Sequence, residues 1–418
     1  MPLKPVFRSA WLAACLAAWL PAVLGASSPG RVVAIGDVHG DFEALVEILQ
    51  AANLVDEYAG WSGGDATLVQ TGDLLDRGAR VREVMDLLMR LQQEAPSAGG
   101  EVVVLLGNHE AMNLLGVWRD VSPDVFASFA TSTSAERRRA SWQTYMRWSV
   151  RSARRRGQPP PSLGPVQRAE FERRFPLGFF EYGEALGPEG RYGRWLRELP
   201  VVVRRAGGVF LHGGISPAYG DRSLEQINEA ARAEIASLDA CRELLLEDGT
   251  VHETFDLTDR TVEARAQLEE VEQRLAASRV RDAEELERSA EVLRPCADYK
   301  GWLLIAEDGP VWFRGLARWS EDEGLAQLPA LLAGLEASYF VAGHTPRTGG
   351  RIQRRFGGLA YLIDTGMLRS VYKGNPSALE IVGDRFFALY PDSRVELAGV
   401  EPVTTATSAS AAGLPALP

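Results

Sequence analysis

Positive charge, cysteine, histidine and long apolar runs are all scarce in this sequence, and each scarcity narrows what the chain can do. Against 56 Asp and Glu there are 45 Lys and Arg, a formal net charge of −11. That balance leaves no broad cationic surface to grip a polyanion through its phosphates, so nucleic acid is not an expected partner. A small or protein-borne phosphate is the easier substrate. The longest apolar run, Ala10 to Leu24, is broken by Pro21 and falls short of the ~20 residues that span a bilayer. Lys4 and Arg8 precede it and Gly25, Ala26, Ser27 and Ser28 follow it, so residues 1–26 read as a secretory signal peptide. The protein is then expected to be exported, periplasmic or secreted, with no stable membrane anchor after cleavage. Leu12-Ala13-Ala14-Cys15 offers a second reading, a lipoprotein box that would leave a lipid on Cys15. Of 3 cysteines, signal removal leaves Cys241 and Cys296. In an oxidising compartment they either pair or stay as two buried thiols, and spacing alone does not decide between these.

What is present suits a folded enzyme: 418 residues, 46% hydrophobic and 24% charged, enough for one large core or two smaller ones. From Arg31 to Leu115 the chain repeats a β-rich apolar run, a glycine turn with polar residues, and a helical stretch, which is a βαβαβ unit. The runs Val32–Ile35, Thr67–Thr71 and Val102–Leu106 each end in Gly plus Asp or Asn. Polar groups therefore gather at the carboxyl ends of neighbouring strands, where open α/β sheets bind ligands. Helical insertions are expected at about 118–199 and 221–298. Further strands read at 201–203, 209–212, 339–342, 359–363, 378–382 and 385–390, the last two forming a hairpin across Gly383-Asp384. Residues 391–418, rich in Ala, Ser, Thr and Pro, read as a disordered tail.

The chain has 5 histidines, and all but His252 lie in glycine-flanked turns after apolar runs. They stand in Gly36-Asp37-Val38-His39-Gly40-Asp41, Gly107-Asn108-His109-Glu110, His212-Gly213-Gly214 and Ala342-Gly343-His344-Thr345-Pro346. Gly72-Asp73-Leu74-Leu75-Asp76-Arg77-Gly78 ends another strand in the same way. Asp37 and His39, two apart, would point to one side of an extended segment and could share an ion.

Taken in order, these motifs resemble the calcineurin-like metallophosphoesterases, and within them the phosphoprotein phosphatases. The Asp41 ending, the Leu74-Leu75 pair and Pro310-Val311-Trp312-Phe313-Arg314-Gly315 resemble the Shewanella-like subgroup. The resemblance covers residues 31–390 as one catalytic domain. It implies an α/β fold of two mixed sheets packed as a sandwich and flanked by helices. It also implies Asp37, His39 and Asp73 on one divalent metal, and Asp73, Asn108, His212 and His344 on the other. Two such cations lower the pKa of a shared water toward ~7, giving a hydroxide that attacks phosphorus in line. Mixed nitrogen and oxygen donors suit Mn, Fe or Zn, with Mn favoured. By the same resemblance His109 protonates the leaving oxygen, Asp76 orients it, and Arg77 and Arg314 fork onto phosphate oxygens.

Plainer roles exist for some of these residues. Asp37, Asp73 and Asp76 taken singly could be turn or capping residues, and Asp41 precedes the Phe42–Leu49 helix as a cap would. His252 reads as a surface or loop residue, and Trp118, Trp142 and Trp148 as core aromatics in preference to a substrate lid. The expected function is a metal-dependent phosphatase acting on phosphorylated proteins or peptides, at Tyr or Ser/Thr. The alternative is a diadenosine polyphosphate or other nucleotide hydrolase, although relatives of that kind usually alter the Asp76-Arg77 pair. The Ser-Ala-Pro-Asn-Tyr segment that binds natural toxins in the Ser/Thr-specific enzymes is missing, so resistance to those toxins is expected.

Overall fold

The computed structural model describes residues 30–277, 283–347 and 349–400. The expected signal segment with Cys15, and residues 401–418, lie outside that range. The strands are β1 (Arg31–Ile35), β2 (Thr67–Gln70), β3 (Glu101–Val104), β4 (Val202–Arg205), β5 (Gly208–Leu211), β6 (Tyr339–Ala342), β7 (Gln353–Arg355), β8 (Ala360–Leu362), β9 (Ala378–Val382), β10 (Arg385–Tyr390) and β11 (Ser393–Leu397). They form a six-stranded sheet in the order β11-β10-β9-β1-β2-β3 and a five-stranded sheet in the order β4-β5-β6-β8-β7. The β1–β2 and β2–β3 pairs are parallel, as are β5–β6 and β6–β8, while β4, β7, β9, β10 and β11 pair antiparallel. This is the mixed two-sheet α/β architecture expected from the sequence.

The two faces of β1 show why these strands are apolar throughout. Val32 and Ala34 point into the layer between the sheets, with Phe210, Val341, Tyr361 and Phe386. Val33 and Ile35 point the other way, onto Leu45 and Leu49 of helix 42–51 and Val84 and Leu88 of helix 81–94. A parallel strand covered on both sides has no polar face to offer water. Asp41 accepts from the Ala44 amide at 3.1 Å and starts helix 42–51, so its capping role is the one realised.

Elsewhere the structure departs from the sequence reading. Residues 393–397, read as tail, form β11 and pair with β10. Their alternation is mostly polar and the strand is largely exposed, so it lacks the apolar face that signals a strand. The β7 edge, Gln353-Arg354-Arg355, was unreadable for the same reason.

Helices 123–129, 134–155, 165–174, 179–186 and 191–198 occupy the first inserted stretch, and 224–247, 257–276 and 283–297 the second. Trp118 packs against Phe179 and Tyr182, Trp142 against Phe171, and Trp148 against Phe255. His252 is buried, not on the surface: the Thr144 and Thr254 hydroxyls bond its two ring nitrogens at 2.8 and 2.9 Å. The two insertions pack on each other there, which one segment's periodicity does not reveal. Cys241 and Cys296 are free thiols buried in one cluster between helices 224–247 and 283–297. Among the described residues no helix is long and apolar enough to cross a membrane.

Candidate active site

The carboxyl ends of β1, β2 and β3 in one sheet and of β5 and β6 in the other deliver Asp37/His39, Asp73/Asp76/Arg77, Asn108/His109, His212 and His344 to a common point. Tight turns make the delivery possible. His39, Asp73, Asp76, Arg77 and His344 all have positive φ, between 47° and 70°, a conformation that costs about 1–3 kcal/mol for a residue with a Cβ. A Cβ on Gly343 would sit 2.4 Å from Asp37 Oδ1, so only glycine permits the approach there.

Backbone carbonyls fix the tautomers of three histidines. His39 Nδ1 donates to the Leu75 carbonyl at 2.8 Å, His212 Nδ1 to the Thr71 carbonyl at 2.9 Å, and His344 Nε2 to the Trp312 carbonyl at 3.1 Å. A carbonyl only accepts, so in the neutral ring the opposite nitrogen is an acceptor: His39 Nε2 meets an Arg77 N–H, whereas His212 Nε2 and His344 Nδ1 face other acceptors. Those lone pairs converge. His212 Nε2 lies 3.0 Å from His344 Nδ1, 2.8 Å from Asn108 Oδ1 and 3.3 Å from Asp73 Oδ1. Asp73 Oδ2 lies on the other side, 3.6 Å from His39 Nε2 and 3.9 Å from His109 Nε2. Burial drives the His39 ring down to about 3, and burial together with His212 pushes His344 down as well, so neither ring is charged at neutral pH. Acceptors facing acceptors without a proton between them repel unless a cation sits among them, and neutral imidazoles braced by carbonyls are what divalent ions take as ligands. The donor set therefore fits divalent metals.

The acids obey the same logic. Burial opposes charge on Asp73, but His212 and His109 outweigh it and hold this carboxyl well below the usual range. Burial, then Asp364, then Asp73 raise Asp37 well above it. Asp37 Oδ1 accepts from the His344 amide at 2.9 Å and stands 3.9 Å from His212 Nδ1. The segment carrying Asp37 and His39 is not extended as expected: the Val38 and His39 amides both bond the Asp73 carbonyl, and the chain turns at His39. His109 Nδ1 donates to Asp76 Oδ2 at 2.6 Å, as expected. Arg77 donates to His39 Nε2 at 2.9 Å, and Arg314 to the His344 carbonyl at 3.0 Å and Thr345 Oγ1 at 2.9 Å.

Several residues that support this arrangement drew no attention in the sequence. The Glu110 carboxylate, fully buried, accepts from the amides of Asp73, Leu74, Leu75 and Gly107 at 2.7–3.0 Å and so clasps the Asp73 turn to the helix of His109. Gln70 ties the Gly36 and Gly72 turns together in the same way. Tyr182, from the first insertion, donates to Asn113 Oδ1 at 2.6 Å, and Asn113 donates to Asp76 Oδ1 at 2.9 Å. Asp364, pushed up to about 6 by burial, borders Asp37 and keeps one oxygen without a hydrogen-bond partner. Tyr372 stacks on His39, with the Arg77 guanidinium over its ring. Only Glu110 carried a signal, its place beside His109.

A family profile described as calcineurin-like phosphoesterase matches residues 30–347, well over half of the chain. The chain is a calcineurin-like phosphoesterase. This hydrolase family uses divalent metals, which agrees with the donor set above. The phosphoesterase is 29% identical over 358 residues to an uncharacterized protein of Schizosaccharomyces pombe, covering 84% of this chain and 77% of that one. To the Shewanella-like protein phosphatase 2 of Arabidopsis thaliana it is 33% identical over 221 residues, 50% of this chain and 52% of the relative. A cold-active protein-tyrosine phosphatase of a psychrophilic Shewanella species shares the fold, with a TM-score of 0.55 and 22% identity over 88% of this chain and 80% of that one.

Proposed function

We propose that this phosphoesterase removes phosphate from phosphorylated proteins or peptides with two divalent cations bound. The observation that carries the reading is the convergence of three carbonyl-braced imidazole lone pairs on the two oxygens of Asp73. Asp37, His39 and Asp73 would hold one cation, and Asp73, Asn108, His212 and His344 the other. When bound, such a pair supplies Lewis-acid polarisation of the phosphoryl oxygens and an acidified water.

The chain's own groups do the rest. Arg77 and Arg314 meet the phosphate oxygens and stabilise their growing charge. His109 donates its proton to the leaving oxygen, held by Asp76 with Nε2 toward the centre. Tyr372 offers an aromatic face beside Arg77, which favours an aryl ester and hence phosphotyrosine. The similarity to a plant protein phosphatase supports a protein-borne substrate. The test is phosphate release from phosphotyrosine, phosphoserine and phosphothreonine peptides set beside cleavage of diadenosine polyphosphates, with Mn added. Phosphopeptides should win, phosphotyrosine first. Preferential cleavage of the dinucleotides would overturn the reading.

A further inference from the structure

The two insertions, with residues 113–117, border a half-open cavity of about 330 Å³ beside the helix that carries His109. None of the ten residues assigned to the catalytic centre lines it. Arg197, Arg242 and Arg260 do, in a chain whose net charge is −11. Arg197 is matched by Asp239 through two bonds of 2.7 and 2.8 Å. The other two have no such match. Arg260 is 6% exposed and donates only to the carbonyls of Asp256 and Leu115. Arg242 makes no hydrogen bond or ion pair among the described residues. The lining carboxylates act on them only from a distance, being bonded elsewhere: Glu253 is held by both Arg137 terminal nitrogens at 2.6 and 3.1 Å, and Asp256 caps helix 257–276.

Burial disfavours both cations: it lowers Arg242, with Asp239 and Glu253 offsetting only part of the effect and Arg197 adding to it, and Arg260 falls to about 10 through burial and Arg242. Guanidiniums that no carboxylate bonds directly keep their forked N–H groups for the oxygens of a phosphate-type anion. Trp118, Phe179 and Phe255 add aromatic wall to the same space, and its volume is that of a small-ligand site.

We propose that this cavity is a second anion site, separate from the catalytic centre, taking a small ligand that joins a phosphate or phosphonate to a flat ring. Its wall includes Asn113, the residue that holds Asp76, so an occupant touches the positioning of His109.

The probe is 4-fluorophenylphosphonate, which is not a phosphate ester and survives the enzyme, followed by ¹⁹F NMR and calorimetry on the metal-loaded protein. Two binding events per chain are expected. Arg242→Ala should weaken one of them about tenfold or more, the loss of a charge-assisted contact, while Arg77→Ala weakens the other. Arg242→Lys, which keeps the charge, guards against misfolding of the alanine variant and should restore part of the binding. A single event that Arg77→Ala removes and Arg242→Ala leaves alone would overturn the proposal. So would a second event insensitive to both Arg242 variants.

Discussion

Glu110→Gln is the substitution that best separates this account from a merely local one. The side chain keeps its size, and one amide oxygen can still accept from Leu74 and Leu75, whose amides now bond one carboxylate oxygen at 2.8 and 3.0 Å. The other position becomes an NH₂ facing the Asp73 and Gly107 amides, which now sit 2.7 and 2.8 Å from a carboxylate oxygen. Donor meets donor, and two buried charge-assisted bonds vanish. At about 1.5–3 kcal/mol each, the loss comes to about 3–6 kcal/mol. The damage falls on the turn that presents Asp73, so metal content should drop along with stability. Urea unfolding gives the first quantity and elemental analysis the second. A variant within about 0.5 kcal/mol of the parent, the range of an ordinary surface change, would refute the idea that Glu110 holds the Asp73 turn. Rotation of the amide could rescue one pair of amides only by abandoning the other.

Other expectations follow from the same geometry. Asp73→Asn should lose metal and turnover together, and unchanged turnover would reject Asp73 as the bridge. Burial opposes charge on His109, but Asp73 and Asp76 outweigh it and raise its pKa, so the protonated acid persists above the ordinary histidine value and is lost as pH rises through the raised one. In Asp76→Asn the alkaline limb of kcat/KM against pH should move to lower pH, and an unmoved limb would remove Asp76 from the pairing. The His109 contribution to stability has the same sign: complete below about 6.5 and lost above the raised value. Tyr182→Phe should cost about 1 kcal/mol, the net worth of one buried hydrogen bond, with a modest fall in kcat. Gly343→Ala places a Cβ 2.4 Å from Asp37 Oδ1 and should lower metal affinity, measured by calorimetry, more than it lowers the unfolding midpoint.

Much of the site was legible because its chemistry is local in sequence. Each donor follows an apolar strand within a few residues, and scarce histidines in glycine turns stand out against the composition. The supports were not legible, because they act across long separations. Glu110 serves amides 35–37 residues away. Tyr182 reaches Asn113 from the first insertion, 69 residues off. Asp364 looks like any aspartate opening a turn, and only the sandwich brings it against Asp37. The fold divides in the same way. The strands covered on both faces were readable as apolar runs, whereas β7 and β11, polar strands at sheet edges, gave no periodic signal. The burial of His252 depends on two insertions meeting, a property that neither carries alone.

The central claim is that side chains from both sheets converge to hold a pair of cations, and metal counting on active protein tests it most directly. Elemental analysis of the purified enzyme, before and after chelation and again after Mn is restored, should show about two divalent ions per chain, with turnover lost and regained in step. Full turnover from protein carrying no divalent ion would contradict the account.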